Sequence, residues 1–426
     1  EHALAWKFAQ SPKTEKVFAA PGNGGTAAEA KCENIAMTAD PASAEGQEEL
    51  RQFALREKID ITVIGPELPL ACGIADTFRS AGLIVIGPGR QAARLEASKI
   101  YSKAFMEKYG VRAASGGSFI DPASSLDFAA RHFAASVGSA ADPLVIKADG
   151  LAAGKGVVIA HNITEAEETL EAFMRQKSLG DAGASVLLEE FLEGKEVSVL
   201  AAVSVAGGKG YILPFISARD HKRRFEGAQG PNTGGMGAIA PVPDFSREAR
   251  DDFFKSILEP TLNGIKTEGF DYRGFIFFGL MVHNDRCRLL EYNVRLGDPE
   301  TQAVLPLMDF DLADLCGAIT AGGEFQLTWK QGAVCAPVAV AEGYPGPYRK
   351  GDTVSIDAAA LEKTGAKVFI SGASGGPRSA LLTTGGRVLT VSAFGPNADE
   401  ARACAYKGLE AVSFEGMGFR RDIGRE

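Results

Sequence analysis

The stretch from 144 to 160 constrains the fold most. An apolar strand pattern (144–148) carries Lys147 near its end and runs into Asp149-Gly150-Leu151-Ala152-Ala153-Gly154-Lys155-Gly156, after which a second apolar strand pattern, 157–160, follows at once. Backbone N–H groups without side chains in the way can wrap phosphate oxygens, and lysines neutralise them. The strand-to-strand continuation excludes a Walker A loop, which opens a helix. Three residues separate Gly150 from Gly154 where that motif has four, and Gly156 stands where its Mg²⁺-binding Ser/Thr would be. The plain alternative is a hairpin turn with a solvated lysine. Two lysines framing three glycines favour the phosphate loop.

Composition sets the limits around this loop. The chain has 426 residues, 50 of them glycine, about twenty more than an average composition would give. With 23% charged and 45% hydrophobic residues this is a folded chain, so the surplus belongs to particular turns rather than to a disordered linker. A net charge of -9 argues against nucleic acid as a partner. No apolar run approaches the ~18 residues of a membrane-spanning helix, and no cleavable signal segment is expected. Six scattered cysteines without C-x-x-C fit reduced thiols and a cytoplasmic setting, and five histidines without H-x-x-x-H make zinc improbable.

The first ~110 residues alternate short apolar runs (16–20, 59–65, 83–87) with helical patterns, which predicts a buried parallel sheet with ligands at its carboxyl ends. The chain opens directly in a helix-like run from Glu1, so the first strand of that domain is expected to be missing. After 111 come a helix at 121–133, the strand–loop–strand unit, and strands at 186–191, 196–205 and 211–215, the last three expected to be antiparallel. A long helix at 245–267, a hairpin of 274–282 with 287–294 and two helices at 300–307 and 311–321 follow. A small β-rich module fills 325–426.

Three further stretches suggest chemistry. Glu189-Glu190-Phe191-Leu192-Glu193-Gly194-Lys195-Glu196 ends a strand with acids that suit an adenine amino group and ribose hydroxyls, though exposed acids at strand ends are common. In Leu289-Leu290-Glu291-Tyr292-Asn293-Val294-Arg295, strand alternation puts Glu291, Asn293 and Arg295 on one face and Leu290, Tyr292 and Val294 on the other. A carboxylate and an amide oxygen suit Mg²⁺, and an arginine suits a phosphoryl or carboxylate group; a solvated Glu–Arg pair is the alternative. Asp298 and Pro299 read as N-cap and first residue of the next helix. Asp220-His221-Lys222-Arg223-Arg224 with Gly230-Pro231-Asn232-Thr233-Gly234-Gly235-Met236-Gly237 describes an anion-binding loop. Gly87-Pro88-Gly89-Arg90-Gln91-Ala92 matches a dinucleotide fingerprint, but Pro88 and the lack of a suitably placed acid make it a structural turn.

Taken together, these residues resemble the ATP-grasp ligases, and among them the phosphoribosylamine–glycine ligase family. The segments that carry the resemblance are PGNGGT at Pro21, VIGPELPL at Val63, KADGLAAGKGV at Lys147, LLEEFLEGKEVSV at Leu187, DHKR at Asp220, GPNTGGMGA at Gly230, EYNVRLGDPETQ at Glu291, EGYPGPYRKGD at Glu342 and GGRVLTVSAFG at Gly385. They span nearly the whole chain. The resemblance implies an α/β and α+β multidomain fold. Its parts are a pre-ATP-grasp α/β domain at 1–110, clipped at its start, a small ATP-grasp subdomain at 111–180, a large one at 181–324, and a C-terminal β-rich domain at 325–426. It also implies that about a dozen residues before Glu1 are absent.

The implied reaction joins glycine to 5-phosphoribosylamine with ATP, through a glycyl phosphate, in a cytoplasmic enzyme of purine synthesis, a monomer or a homodimer, that uses Mg²⁺ or Mn²⁺. Lys103, Lys147, Gly150, Gly154, Lys155 and Gly156 are implied for the ATP phosphates. Glu189, Glu190, the Leu192 backbone and Glu196 are implied for adenine and ribose, and Glu291 and Asn293 for the metal. Arg295 and Lys222 fall to the reacting groups, and Asn23, Gly24, Asp220, Asn232, Thr233, Gly234 and Gly235 to the co-substrates. One departure stands out: many ATP-grasp enzymes place a second metal carboxylate on the strand before Glu-x-Asn, and here that strand reads Phe277-Phe278-Gly279-Leu280. A formate-using purine ligase, a biotin-dependent carboxylase and a non-catalytic nucleotide-binding protein are the rival readings.

Overall fold

The structure is a computed structural model that describes residues 1–135, 142–152, 156–376 and 379–425. Gly154 and Lys155 lie outside the described residues. Its main element is a ten-stranded sheet with strands from the N-terminal, central and C-terminal parts of the chain. Nine strands run in the order Lys367–Ile370, Arg387–Gly395, Ala333–Val340, Gly237–Ala240, Lys209–Asp220, Lys195–Ala206, Tyr272–His283, Val85–Pro88 and Thr62–Val63, and Arg286–Asn293 also pairs with Tyr272–His283. The strand Tyr272–His283 shows why its sequence is apolar throughout. Tyr272, Ile276, Phe278 and Leu280 enter one core while Phe275 and Phe277 enter the core on the opposite face. A two-residue turn with positive φ at Asn284 (48°) and Asp285 (58°) returns the chain into Arg286–Asn293, as the hairpin reading expects.

The second sheet is antiparallel and four-stranded, in the order Gly116–Phe119, Val186–Glu190, Leu144–Ala148, Val157–Ala160. The helices Pro122–Ala134 and Ile163–Leu170 cover it, and Ala129, Leu144, Ile146, Leu170 and Leu188 are among the residues of its own core. The strand Val186–Glu190 is therefore an inner strand of this small unit, not the first strand of the large one, and a boundary at 180 cuts through it.

Two other expectations change. The N-terminal parallel sheet is split into two parallel pairs, Val17–Ala19 with Cys32–Asn34 and Thr62–Val63 with Val85–Pro88. The second pair joins the large sheet through antiparallel contacts of Gly87 and Pro88 with Arg273 and Tyr272. The C-terminal module, expected as a β-rich domain of its own, is β-rich but also continues the large sheet, because Ala333–Val340 pairs with Gly237–Ala240. Among the described residues no helix is long and apolar enough to cross a membrane.

Candidate active site

The cleft between the two sheets measures about 1210 Å³. Lys147, Gly150 and Gly156 line it from the small sheet, Glu189, Glu190, Leu192 and Glu196 from the crossover, and Glu291, Asn293 and Arg295 from the large sheet. Asp220, Lys222, Asn232, Thr233 and Gly234 close one side, and Arg387 of the C-terminal module reaches in. Residues far apart in the sequence thus meet here.

Glu189 is buried and held by two lysines. Lys103 Nζ lies 3.0 Å from its Oε1 and Lys147 Nζ 2.6 Å from its Oε2. Each oxygen meets one lysine, so the carboxylate expected to meet adenine also fixes two ammonium groups in place. Lys103 also donates to the Ala114 carbonyl and Lys147 to the Leu290 carbonyl (3.1 Å). The Leu290 contact rests on a bulge. Gly279 pairs with Glu291 and Leu280 with Leu289, so Leu290 is the extra residue. Strand alternation alone puts Leu290 with Tyr292 and Val294 in the core; the bulge turns it to the cleft while Leu289 takes the buried place.

Glu291 and Asn293 remain on the cleft face. Burial pushes the Glu291 carboxyl up, but Lys99, Lys222, Lys147 and a hydrogen bond from Asn293 outweigh it and hold the pKa at about 2. Lys99 Nζ is 3.5 Å from Glu291 Oε2. The next residue on this face, Arg295, is clamped between acids from two other segments: Nη2 to Glu96 Oε1 at 3.0 Å and Nε to Glu67 Oε2 at 3.3 Å. Glu96 in turn accepts from the Val294 N–H at 2.7 Å. The Arg295 head is therefore oriented before any ligand arrives.

The loop wall is tied together by Arg387. Its Nη1 donates to the carbonyls of Gly234 (2.6 Å) and Asp298 (2.8 Å), and its Nη2 to Asp298 Oδ2 (2.8 Å). Asp298 Oδ1 accepts from Gln302 Nε2 at 2.7 Å. Asp298 is thus not the helix N-cap expected of it: the helix begins at Glu300 after Pro299, and the Asp298 carboxylate serves as an anchor for Arg387. Lys222 Nζ meets Glu196 Oε2 at 3.0 Å; Glu196 raises the Lys222 pKa against the lowering effect of burial, with Glu291 and Asp220 adding to the rise. Glu190 accepts from the Ser115 N–H (2.7 Å) and from Arg288 (2.8 Å).

Four expected site residues are not on the cleft wall: Lys103, which reaches it only through Glu189, and Asn23, Gly24 and Gly235. Asn23 and Gly24 do not line this cleft. The Asn23 side chain accepts from the N–H groups of Gly25 (2.8 Å) and Thr26 (3.1 Å) and donates to the Ile370 carbonyl (2.9 Å), so its amide closes its own loop. Gly24 packs on the C-terminal module, where a Cβ would collide with Leu381. Gly235 sits behind Thr233, and a Cβ there would lie 2.5 Å from Asp220 Oδ1. The Gly87-Pro88-Gly89 turn is structural as read, because Asp76 Oδ2 accepts the Arg90 N–H at 2.8 Å where a dinucleotide phosphate would sit. The residues the sequence did not single out are Lys99, Glu96 and Arg387. The first two look like ordinary helix residues, and Arg387 is joined to the cleft only by the continuation of the sheet.

Three family descriptions match the chain in order: Phosphoribosylglycinamide synthetase, N domain, over 1–96; its ATP-grasp (A) domain over 97–301; and its C domain over 333–426. Phosphoribosylamine–glycine ligase of Clostridium acetobutylicum is 46% identical over 427 aligned positions, covering 100% of this chain and 97% of that protein. The chain belongs to the phosphoribosylamine–glycine ligase family. It is accordingly an ATP-dependent ligase with an ATP-grasp fold. The Fusobacterium nucleatum phosphoribosylamine–glycine ligase is 42% identical over 100% of this chain and 96% of its own. A crystal structure of phosphoribosylamine–glycine ligase from Thermotoga maritima superposes with a TM-score of 0.82 at 33% identity, covering 99% and 97% of the two chains. The biotin carboxylase domain of Hydrogenobacter thermophilus 2-oxoglutarate carboxylase, solved with MgADP and bicarbonate, superposes at 0.70 with 16% identity, covering 98% and 88%. That second likeness is one of fold alone.

Proposed function

We infer that this cleft carries out the family's reaction, ATP + glycine + 5-phosphoribosylamine giving ADP, phosphate and glycinamide ribonucleotide, in purine biosynthesis. The observation that carries the reading is the oriented Arg295 in one cleft with Glu291, Asn293 and Lys147, whose ammonium group Glu189 holds together with that of Lys103. A carboxylate is a poor acyl donor. One glycine oxygen first takes the γ-phosphoryl group as ADP departs. The amine nitrogen then attacks the carbonyl carbon, and phosphate leaves with that oxygen while the amine loses a proton. Little covalent work falls to the protein; it must position groups and stabilise moving negative charge.

Each residue has a part in that. Lys103 and Lys147 hold ATP phosphates, with Glu189 fixing both ammonium groups at the adenine end of the cleft. Gly150 and Gly156 bring backbone close to the phosphates; Gly154 and Lys155, between them in the sequence, lie outside the described residues. Glu190, the Leu192 backbone and Glu196 border adenine and ribose. Arg295 steadies the acyl phosphate and the tetrahedral adduct, and Lys222 supplies further positive charge. Asn232, Thr233 and Gly234 form the wall facing phosphoribosylamine.

Glu291 and Asn293 fit a divalent cation, Mg²⁺ or Mn²⁺: an acid kept ionised at about pKa 2 and an amide oxygen share one strand face. No group of three or more His, Cys, Asp or Glu that could hold a metal occurs among the described residues, so phosphates and water must complete the shell. When bound, such an ion neutralises phosphate charge.

ADP release measured with each co-substrate omitted in turn tests the reading. Turnover should require ATP, glycine and phosphoribosylamine together. ADP release indifferent to glycine would refute it.

A further inference from the structure

Apart from the exposed Glu1 and Glu193, the acids that line the cleft are already partnered, with one exception among the described residues. Glu189 is bound by Lys103 and Lys147, Glu196 by Lys222, Glu291 by Lys99, Asp298 by Arg387 and Gln302, and Glu300 accepts from Ser198 Oγ at 2.8 Å. Asp220, at the end of the strand Lys209–Asp220, lines the same cleft, and its Oδ1 is buried without a hydrogen-bond partner among the described residues. The cations that could have served it, Lys222 and Arg387, are spent on Glu196 and Asp298. A buried carboxylate oxygen left this way is costly unless something that is not yet there completes it.

We propose that Asp220 is the anchor for the α-ammonium group of the amino-acid substrate. This rests on the ligase reading above and deepens it. Glycine carries a cation next to the carboxylate that must be phosphorylated, so a binding site for it needs an acid close to the groups that handle the acyl phosphate. Asp220 is in that place. A Cβ on Gly235 would lie 2.5 Å both from Asp220 Oδ1 and from Pro299 Cδ, which puts the carboxylate against the segment that continues from Arg295. Gly235 has φ +114°, a backbone conformation that favours glycine, so the loop closes on Asp220 where only a residue without a side chain fits.

The electrostatics agree. Burial and then the charge of Glu300 push the Asp220 carboxyl well above the usual range, Glu196 adds to the rise, and Lys222 and Arg387 pull it down. An arriving ammonium would reverse that balance.

The test uses hydroxylamine to trap glycyl phosphate as the hydroxamate, so that amino-acid activation is read on the full chain without phosphoribosylamine. Asp220→Asn should raise the glycine KM about 100-fold, as expected for losing one partner of a buried charged hydrogen bond. The ATP KM should stay within about threefold. Glycolate, with a neutral hydroxyl in place of the ammonium, provides an internal comparison that partial misfolding does not distort. The preference for glycine over glycolate in kcat/KM should fall about 100-fold in Asp220→Asn and recover in part in Asp220→Glu. Gly235→Ala, which presses on the same oxygen, should raise the glycine KM more than the ATP KM. A glycine KM within about threefold of wild type in Asp220→Asn, or an unchanged glycine-to-glycolate preference, would overturn the proposal. Wild-type ADP release that ignores glycine would remove the ligase reading, and the anchor with it.

Discussion

Two glycine-rich loops of this protein read alike in the sequence and do different things in the fold. The loop at 21–26 and the loop at 230–237 each combine glycines with Asn and Thr, and both suggest backbone approaching an anion. In the first, the Asn23 amide is used up on Gly25, Thr26 and Ile370, and Gly24 abuts Leu381. In the second, Asn232, Thr233 and Gly234 line the cleft, and Gly235 closes on an acid that lacks a partner. Glycine density therefore signals close backbone approach. What is approached, a neighbouring domain or a ligand, depends on where the side-chain hydrogen bonds go.

This comparison can be broken by experiment, starting with the largest effect. Substitutions in the cleft should cost turnover and leave melting largely intact. Glu291→Ala should lower metal-dependent turnover by at least about 10³-fold, the scale of losing a preorganised charge in a phosphoryl-transfer site. Near-wild-type rates would remove Glu291 from the metal. Lys147→Ala should raise the ATP KM by about 10- to 100-fold, since the ammonium is oriented by Glu189 and the Leu290 carbonyl. An unchanged value would return it to the solvated-lysine reading.

Substitutions in the first loop should do the reverse. Gly24→Ala should destabilise by about 1–3 kcal/mol through overpacking against Leu381, with KM values unchanged. Asn23→Ala should cost about 1 kcal/mol through the lost loop-closing bonds, again in denaturation and not in kinetics. A kinetic defect without a stability defect in either variant would erase the contrast.

The smallest effect is on pH. The folded pKa of Glu291 is lowered from 4.5 to about 2 because its lysines outweigh burial. Its stabilising contribution is therefore fully present above about pH 4.5 and is lost as pH falls through about 2. Glu291 should give no acid limb in nucleotide binding between pH 8 and 5. Asp220 is shifted the other way, so the glycine KM should fall as pH rises through its raised value.

Much of the fold was legible because its signals are local. The hairpin around Asn284 and Asp285 and the strand–loop–strand at 144–160 follow from periodicity and turn chemistry. The site residues on the Glu291 strand were legible from alternation, up to the bulge at Leu290, which a period-2 pattern cannot show. Arg387 was not legible, because it reaches the cleft only through Ala333–Val340 pairing with Gly237–Ala240, a contact between distant segments. The partners of Glu189 were not legible for a related reason. Its type and position suited adenine, but Lys103, 86 residues away, claims one oxygen and Lys147 the other.

The central claim is that the cleft activates the glycine carboxylate by phosphorylation. Glycine labelled with ¹⁸O in both carboxylate oxygens tests it directly, with the released phosphate analysed by ³¹P NMR or mass spectrometry. If a carboxylate oxygen takes the γ-phosphoryl group and then departs with it, each phosphate should carry one ¹⁸O atom for each glycinamide formed. Unlabelled phosphate released alongside product would contradict the account.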